Sequence, residues 1–175
     1  MIFSKIDIEK AIEDKEIIIS PFSKESVRLA SVELSLGNEV FYIPKDNVAI
    51  DILKPETCSD LKCITYLDSE TMNVEPGQFI ITTSKETIEL SSGIIARVEG
   101  ETILRSLGLI IIAREEHLEP GSKGIISLII QNIGTKTIVL RPGTKICQLV
   151  FEQLLTPVEG RKETKVKETK STKKE

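Results

Sequence analysis

The sequence predicts an all-β domain, a distorted β-barrel or sandwich with a short N-terminal helix and one short internal helix. Three observations carry this. Short apolar segments recur along the chain, separated by Gly, Pro and Asn turn signals at the spacing of a barrel or sandwich. Hydrophobic residues make up 40% of the chain but aromatics only 4%, with no Trp, so Ile, Leu and Val must fill the core. Branched side chains of this kind suit pleated, half-buried surfaces. The length, 175 residues, fits one domain.

In chain order, Ser4 followed by Asp7 reads as a helix N-cap with an acidic first turn, and Ile8, Ala11 and Ile12 share one helical face that ends near Asp14. Ile17–Ile19 reads as a strand stopped by Ser20-Pro21. Val32, Leu34 and Leu36 alternate with polar neighbours, and Gly37-Asn38 marks a turn or bulge. Val40–Ile43, Val48–Ile52, Phe79–Thr83, Ile88–Leu90 and Ile94–Val98 read as further strands. Leu109–Ala113, Ile125–Ile130, Thr137–Leu140 and Ile146–Phe151 complete the set. Two stretches break the rhythm. Pro55–Glu70, with Cys58 and Cys63, reads as an insertion or long loop. Glu101–Leu107 is too polar and short for a core strand and reads as a two-turn helix stopped by Gly108.

Charge and composition exclude several classes. Residues 161–175 hold seven basic and three acidic side chains, so this tail carries +4 while the rest carries −8. An acidic body argues against a nucleic-acid surface, which needs clustered Lys and Arg. The opening residues have no apolar signal-peptide region, and no apolar run approaches the ~18 residues of a membrane span. Three unpaired-looking cysteines fit a reducing cytosol. These features predict a cytoplasmic protein with a domain over 1–157. The Lys/Glu-rich tail 158–175 is expected to be disordered; its functional alternative is a segment that closes over an anionic ligand.

Four ordered segments resemble the dCTP deaminase/dUTPase superfamily: FSKIDIEKAIEDKEIIISPFS, ASVELSLGNEV, GETILRSLGL with HLEPGSKGIISLIIQN, and LRPGTKICQLVFEQL. They span Met1 to about Pro157. The resemblance implies a homotrimer of distorted β-barrels whose interfacial sites bind a deoxynucleoside triphosphate, dCTP or dUTP, with Mg²⁺ carried on the nucleotide.

The same resemblance locates candidate site residues. The family's short helix usually begins Arg-Ser-Ser and carries a further Arg, holding phosphate oxygens by charge-assisted bonds. Here that run is Glu101-Thr102-Ile103, then Leu104-Arg105-Ser106. Glu101 reverses the first charge, Thr102 keeps a hydroxyl, and Ser106 stands where the later Arg falls, with Arg105 one residue early. A shift of one residue turns a helical side chain by ~100°. Thr102 and Ser106 either contact nucleotide or cap the helix, and Arg105 either binds phosphate or pairs with Glu101 at i,i+4. Gln148 falls where dUTPases commonly carry Gln; otherwise it is a polar residue on a strand's outer face.

In the deaminases a Glu in the strand after the Pro-Gly turn passes protons between water and the cytosine amine. This chain has Ile129 there. A zinc route is not expected either, since His117 is the only histidine and the cysteines are scattered. The dUTPases instead use an Asp before the turn to activate water, and Glu119 stands at that position as the candidate catalytic carboxylate. The opposing reading makes Glu119 an exposed turn residue. His117 reads as a surface residue, Glu115-Glu116 as a solvated strand end, and Glu33 as structural. The aromatic, Gln- and Gly-containing closing segment of the family is absent after Pro157. Two functions follow as expectations: deoxynucleotide turnover, with dUTP hydrolysis favoured over dCTP deamination, or a catalytically inactive paralogue that binds nucleotide or a regulatory partner.

Overall fold

The computed structural model describes residues 1–42, 51, 53, 64–66, 70–115 and 117–158. The expected strand 48–52 lies largely outside the described residues. So do most of the 55–70 stretch, Glu116 and the tail from 159 on.

The chain opens with α1 (Lys5–Glu13). Ser4 Oγ accepts from the Asp7 amide, and the Asp7 carboxylate accepts from the Ser4 amide at 2.9 Å. Ser4 Oγ also donates to the Asp7 carboxylate at 2.6 Å, and this bond first, then the Ser4 amide, holds the Asp7 carboxyl below its ordinary value. Ile8 and Ala11 are buried and Ile12 packs partly against the core, as their shared face predicts. Strand β1 (Ile17–Ser20) follows and stops at cis-Pro21, before a single 3₁₀ turn over Lys24–Ser26.

The remaining elements are strands β2 (Val32–Tyr42), β3 (Ile64–Tyr66), β4 (Met72–Val74), β5 (Phe79–Leu90) and β6 (Ile94–Gly100), then the one-turn helix α2 (Thr102–Ser106). Strands β7 (Leu109–Ala113), β8 (Lys123–Asn132), β9 (Ile138–Leu140) and β10 (Lys145–Gln153) complete the chain. An eight-stranded sheet runs in the order β6-β10-β2-β5-β8-β7, with β1 added to β5 and β3 to β2. Strands β4 and β9 form a separate pair. The two ends of the path meet. Gly100 of β6 lies against the Ile111 main chain of β7, and Ala96 exchanges both main-chain bonds with Leu118, at 2.8 and 3.2 Å. The result is a nearly closed, barrel-like sheet. Among the described residues no helix is long and apolar enough to cross a membrane.

Inward-facing residues follow the pleat. Val32, Leu34 and Leu36, then Leu128 and Ile130, then Leu149 and Phe151 are fully buried on alternate positions. Branched aliphatics fill the interior, with Phe151 the one fully buried aromatic among the described residues.

Four elements differ from expectation. Phe79–Thr83 and Ile88–Leu90 are one strand, β5, because Ser84 and Glu86 keep the inward alternation through the polar stretch and find partners inside. Ile64–Tyr66, expected to be loop, pairs with Val40–Tyr42 and occupies an edge of β2. Met72–Val74 pairs with Ile138–Leu140, a contact too short for periodicity to reveal. The internal helix is one turn rather than two; Leu107 caps it, and Gly108 takes the left-handed conformation at φ 90° that the stop signal requires. The Gly37-Asn38 signal does mark a bulge, since the β2–β5 register slips between Leu36 and Val40. A Cβ at Gly37 would stand 2.9 Å from the Thr83 carbonyl oxygen, so no larger residue fits without movement.

Three register slips cluster around Glu86: in β2 between Leu36 and Val40, in β5 between Thr83 and Thr87, and in β10 between Lys145 and Cys147. The buried Glu86 carboxylate accepts from the Ser35 amide at 2.8 Å, and Ser84 Oγ accepts from the Ile126 amide at 3.0 Å. Glu86→Ala is expected to leave the Ser35 amide buried and unpaired, costing about 2–3 kcal/mol. The measurement is the urea midpoint at fixed protein concentration; an unchanged midpoint would refute this role.

Candidate functional site

Strands β7 and β8 pair from Leu109↔Asn132 to Ala113↔Leu128, and a last bond joins the Arg114 amide to the Ser127 carbonyl at 2.9 Å. Beyond that point they separate. β8 continues to Lys123 with a strand neighbour only on its β5 side, through Thr87↔Ile125, Ile88↔Gly124 and Glu89↔Lys123. The other limb leaves toward β6 and is fixed there at Leu118. The splay opens a cavity of about 520 Å³, within the range of small-molecule sites. Ile88, Leu118 and Ile126 give it an apolar floor, and Arg114, Glu115 and Lys123 line its walls. A strand edge without a neighbour presents main-chain donors and acceptors.

Glu119 does not line this cavity; its chain neighbour Leu118 and, three residues on, Ser122 do. It begins the turn that Ser122 closes by donating its amide to the Glu119 carbonyl at 3.0 Å. Its side chain is half-exposed and meets His117, Nε2 to Oε1, at 2.9 Å. Gly121 donates to the Ser91 carbonyl and Leu90 to the Ser122 carbonyl, tying the turn to the end of β5.

The other candidates lie elsewhere. Glu101 sits at the N-cap of α2 without a side-chain cap bond, and its amide donates to the Ile146 carbonyl at 3.0 Å. Thr102 is exposed on the first turn. Arg105 does not pair with Glu101; its Nη2 donates to the Gly100 carbonyl at 2.8 Å. Ser106 Oγ donates back to the Thr102 carbonyl at 3.1 Å. Gln148, on β10 between Glu33 and Glu99, accepts from Ser31 Oγ at 2.6 Å. Glu33 is taken by Arg28. Beneath this region the Cys147 thiol is pushed up to about 12, by burial first and then by the Glu86 and Glu101 charges, so it is no nucleophile.

α2 precedes the first residue of β7 and the cavity lies past its last. Four strand steps of ~3.3 Å put the two about 13 Å apart. Within one chain, Glu101, Thr102, Arg105, Ser106 and Gln148 therefore form one region, and Glu119 belongs to another.

Ile129 occupies the middle of a cross-strand row, Ile81–Ile129–Ile112, on the outer face of the sheet. Ile112 is 50% exposed there, and Phe79 and Ile110 extend the apolar surface in the next row.

Three wall residues were not singled out as site residues from sequence. Lys123 is held by Glu89 at 2.7 Å, whereas the exposed Arg114 has no side-chain partner among the described residues. Glu115 faces the cavity rather than merely ending a strand. The available signal was the placement of charges on both limbs of the hairpin around Glu119-Pro120-Gly121. What hid it was the cavity itself, which exists only because the limbs diverge.

The model of the dCTP deaminase-like family matches residues 2–154. The chain is 33% identical over 162 residues to a protein named "dCTP deaminase, dUMP-forming" from Dictyoglomus turgidum, covering 91% of this chain and 84% of that one. It is 34% identical over 160 residues to a protein of the same name from Persephonella marina, covering 91% and 88%. Among solved structures, 2′-deoxycytidine 5′-triphosphate deaminase from Agrobacterium tumefaciens superposes with a TM-score of 0.64 at 18% identity. That alignment takes in 87% of this chain but only 47% of the other, and the likeness speaks to the fold alone. With a family model covering nearly the whole described barrel and relatives this similar along their length, the chain belongs to the dCTP deaminase-like family.

Proposed function

We propose that this protein hydrolyses dUTP to dUMP and pyrophosphate, seating the pyrimidine in the β7–β8 cleft and using Glu119 as general base. One observation carries the reading: Glu119 directly follows Leu118 in the lining of a nucleoside-sized cavity, while position 129 holds an isoleucine within an all-isoleucine row. The apolar floor suits a flat ring, and the unpartnered edge of β8 can match the ring's donors and acceptors. Glu119 takes a proton from water; the water oxygen bonds to the α-phosphorus; the bond to the β-phosphate oxygen breaks and pyrophosphate leaves with the electron pair. Ile129 can neither give nor take a proton, so amine loss from dCTP by the family route is not expected. The name of the relatives, dUMP-forming, includes loss of two phosphates, and that is the half of the chemistry these side chains support.

No group of three or more His, Cys, Asp or Glu side chains among the described residues is arranged to hold a metal. Mg²⁺ is therefore proposed to arrive on the triphosphate oxygens, and no step above runs through it. Incubated with dUTP and Mg²⁺, the protein is expected to yield dUMP and pyrophosphate, and Glu119→Gln to lower kcat by about a hundredfold or more. Absence of turnover would sink the reading, as would brisk formation of dUTP from dCTP.

We also propose a homotrimer, as the family resemblance implies. The exposed Ile112, Phe79 and Ile110, with the half-buried Ile81 and Ile129 between them, support an intersubunit contact. So does the separation of α2 from the cleft, which a neighbouring copy's helix could bridge. Light scattering should give three times the chain mass, falling in Ile112→Asp; a monomeric wild type would refute this.

A second reading, a paralogue that binds nucleotide or a regulatory partner without turnover, is favoured by the α2 region. Arg105, Ser106 and Gln148 are all engaged within the chain, and Glu101 opposes a triphosphate. On that reading Glu101→Arg with Ser106→Arg should tighten dUTP binding by about tenfold, the equivalent of ~1.4 kcal/mol. Calorimetry reads this directly, and unchanged affinity would exclude the region as a phosphate site.

A further inference from the structure

We infer that His117 is the positioning residue of the Glu119 carboxylate, an inference that rests on the hydrolytic reading above. A general base must hold its water within hydrogen-bond reach and in line with the phosphorus. A glutamate in an exposed turn has three side-chain torsions with which to wander. Left unrestrained, it would spend little of its time in one pose.

The structure restrains it from two sides. Leu118 is clamped between the two residues: its amide donates to the Ala96 carbonyl at 2.8 Å, the Ala96 amide donates to the Leu118 carbonyl at 3.2 Å, and its side chain is buried. Extended backbone brings residues i and i+2 to one side, so fixing Leu118 between them sets His117 and Glu119 side by side. There His117 Nε2 meets Glu119 Oε1 at 2.9 Å. The imidazole can donate to that oxygen as the neutral Nε2–H tautomer and as the imidazolium. One carboxylate oxygen is thereby fixed, and the second is left to take the proton from water.

Both side chains are well exposed, 43% for His117 and 50% for Glu119. Such pairs contribute little to folding stability, so removing the imidazole should leave the barrel intact. His117 is also the chain's only histidine, which makes the substitution free of competing imidazoles.

The test is steady-state dUTP hydrolysis by wild type, Glu119→Gln, His117→Ala and His117→Gln, each with its thermal midpoint. His117→Ala should lose about tenfold or more in kcat, with KM changed by less than about twofold. His117→Gln, which keeps an N–H donor of similar reach, should recover most of that loss. All midpoints should agree. If His117→Ala turns over like wild type while Glu119→Gln is dead, the positioning role is wrong and the hydrolytic reading stands. A loss in His117→Ala that appears in KM alone, or that His117→Gln does not restore, also overturns it. A wild type without turnover, or an active Glu119→Gln, overturns the hydrolytic reading and this inference with it.

Discussion

Curling a sheet until its edges meet bends the strands, and bending interrupts the main-chain ladder. Every amide released by such an interruption must find another partner or destabilise the fold. Here the interruptions in β2, β5 and β10 gather around Glu86, whose carboxylate takes the Ser35 amide. Ser84 takes the Ile126 amide, and Thr82 donates to the Glu39 carbonyl at 2.7 Å. Lys145 reaches Ser35 Oγ at 3.3 Å from the third strand. Among the described residues no buried side-chain nitrogen or oxygen lacks a partner. This polar seam through an aliphatic core is what permits the bend, and the remainder of the architecture follows from it.

Closure has a second consequence. Bringing β6 up to β7 captures Leu118 through the Ala96 bridge and draws the chain after Ala113 away from β8. The same event that closes the barrel thus opens the cleft. It also fixes the backbone of the segment that carries His117 and Glu119, so a flexible turn presents its carboxylate with defined geometry. The placement of the Glu119 carboxylate therefore depends on the closure of the sheet as much as on the identity of one residue.

The two regions of the candidate site differ in chemistry. The cleft region retains apolar floor, unpaired strand edge and carboxylate. In the helix region Arg105 Nη2 donates to Gly100, Ser106 Oγ to Thr102, and Gln148 Oε1 accepts from Ser31. On the proposed hydrolytic reading, the grip on the triphosphate is the weak point. Arg114 lines the cleft wall without a side-chain partner among the described residues.

Much was legible in the sequence, because it depends on local rules. Alternation placed Val32, Leu34 and Leu36 inward, Ser4 and Asp7 announced the start of α1, Gly108 marked the stop after α2, and Gly37-Asn38 marked the bulge. The ordered segments also identified the superfamily. What the sequence could not decide is every relation set by distance across the barrel. Ser84 and Glu86 read as a break between strands until their buried partners on β2 and β8 were known. Arg105 had two plausible partners and took a third. The His117–Glu119 pair and the charged wall of the cleft arise from where two strands part company. Periodicity and capping are written into neighbouring residues, whereas the parting of β7 from β8 is fixed by β6, which no local pattern brings to their side.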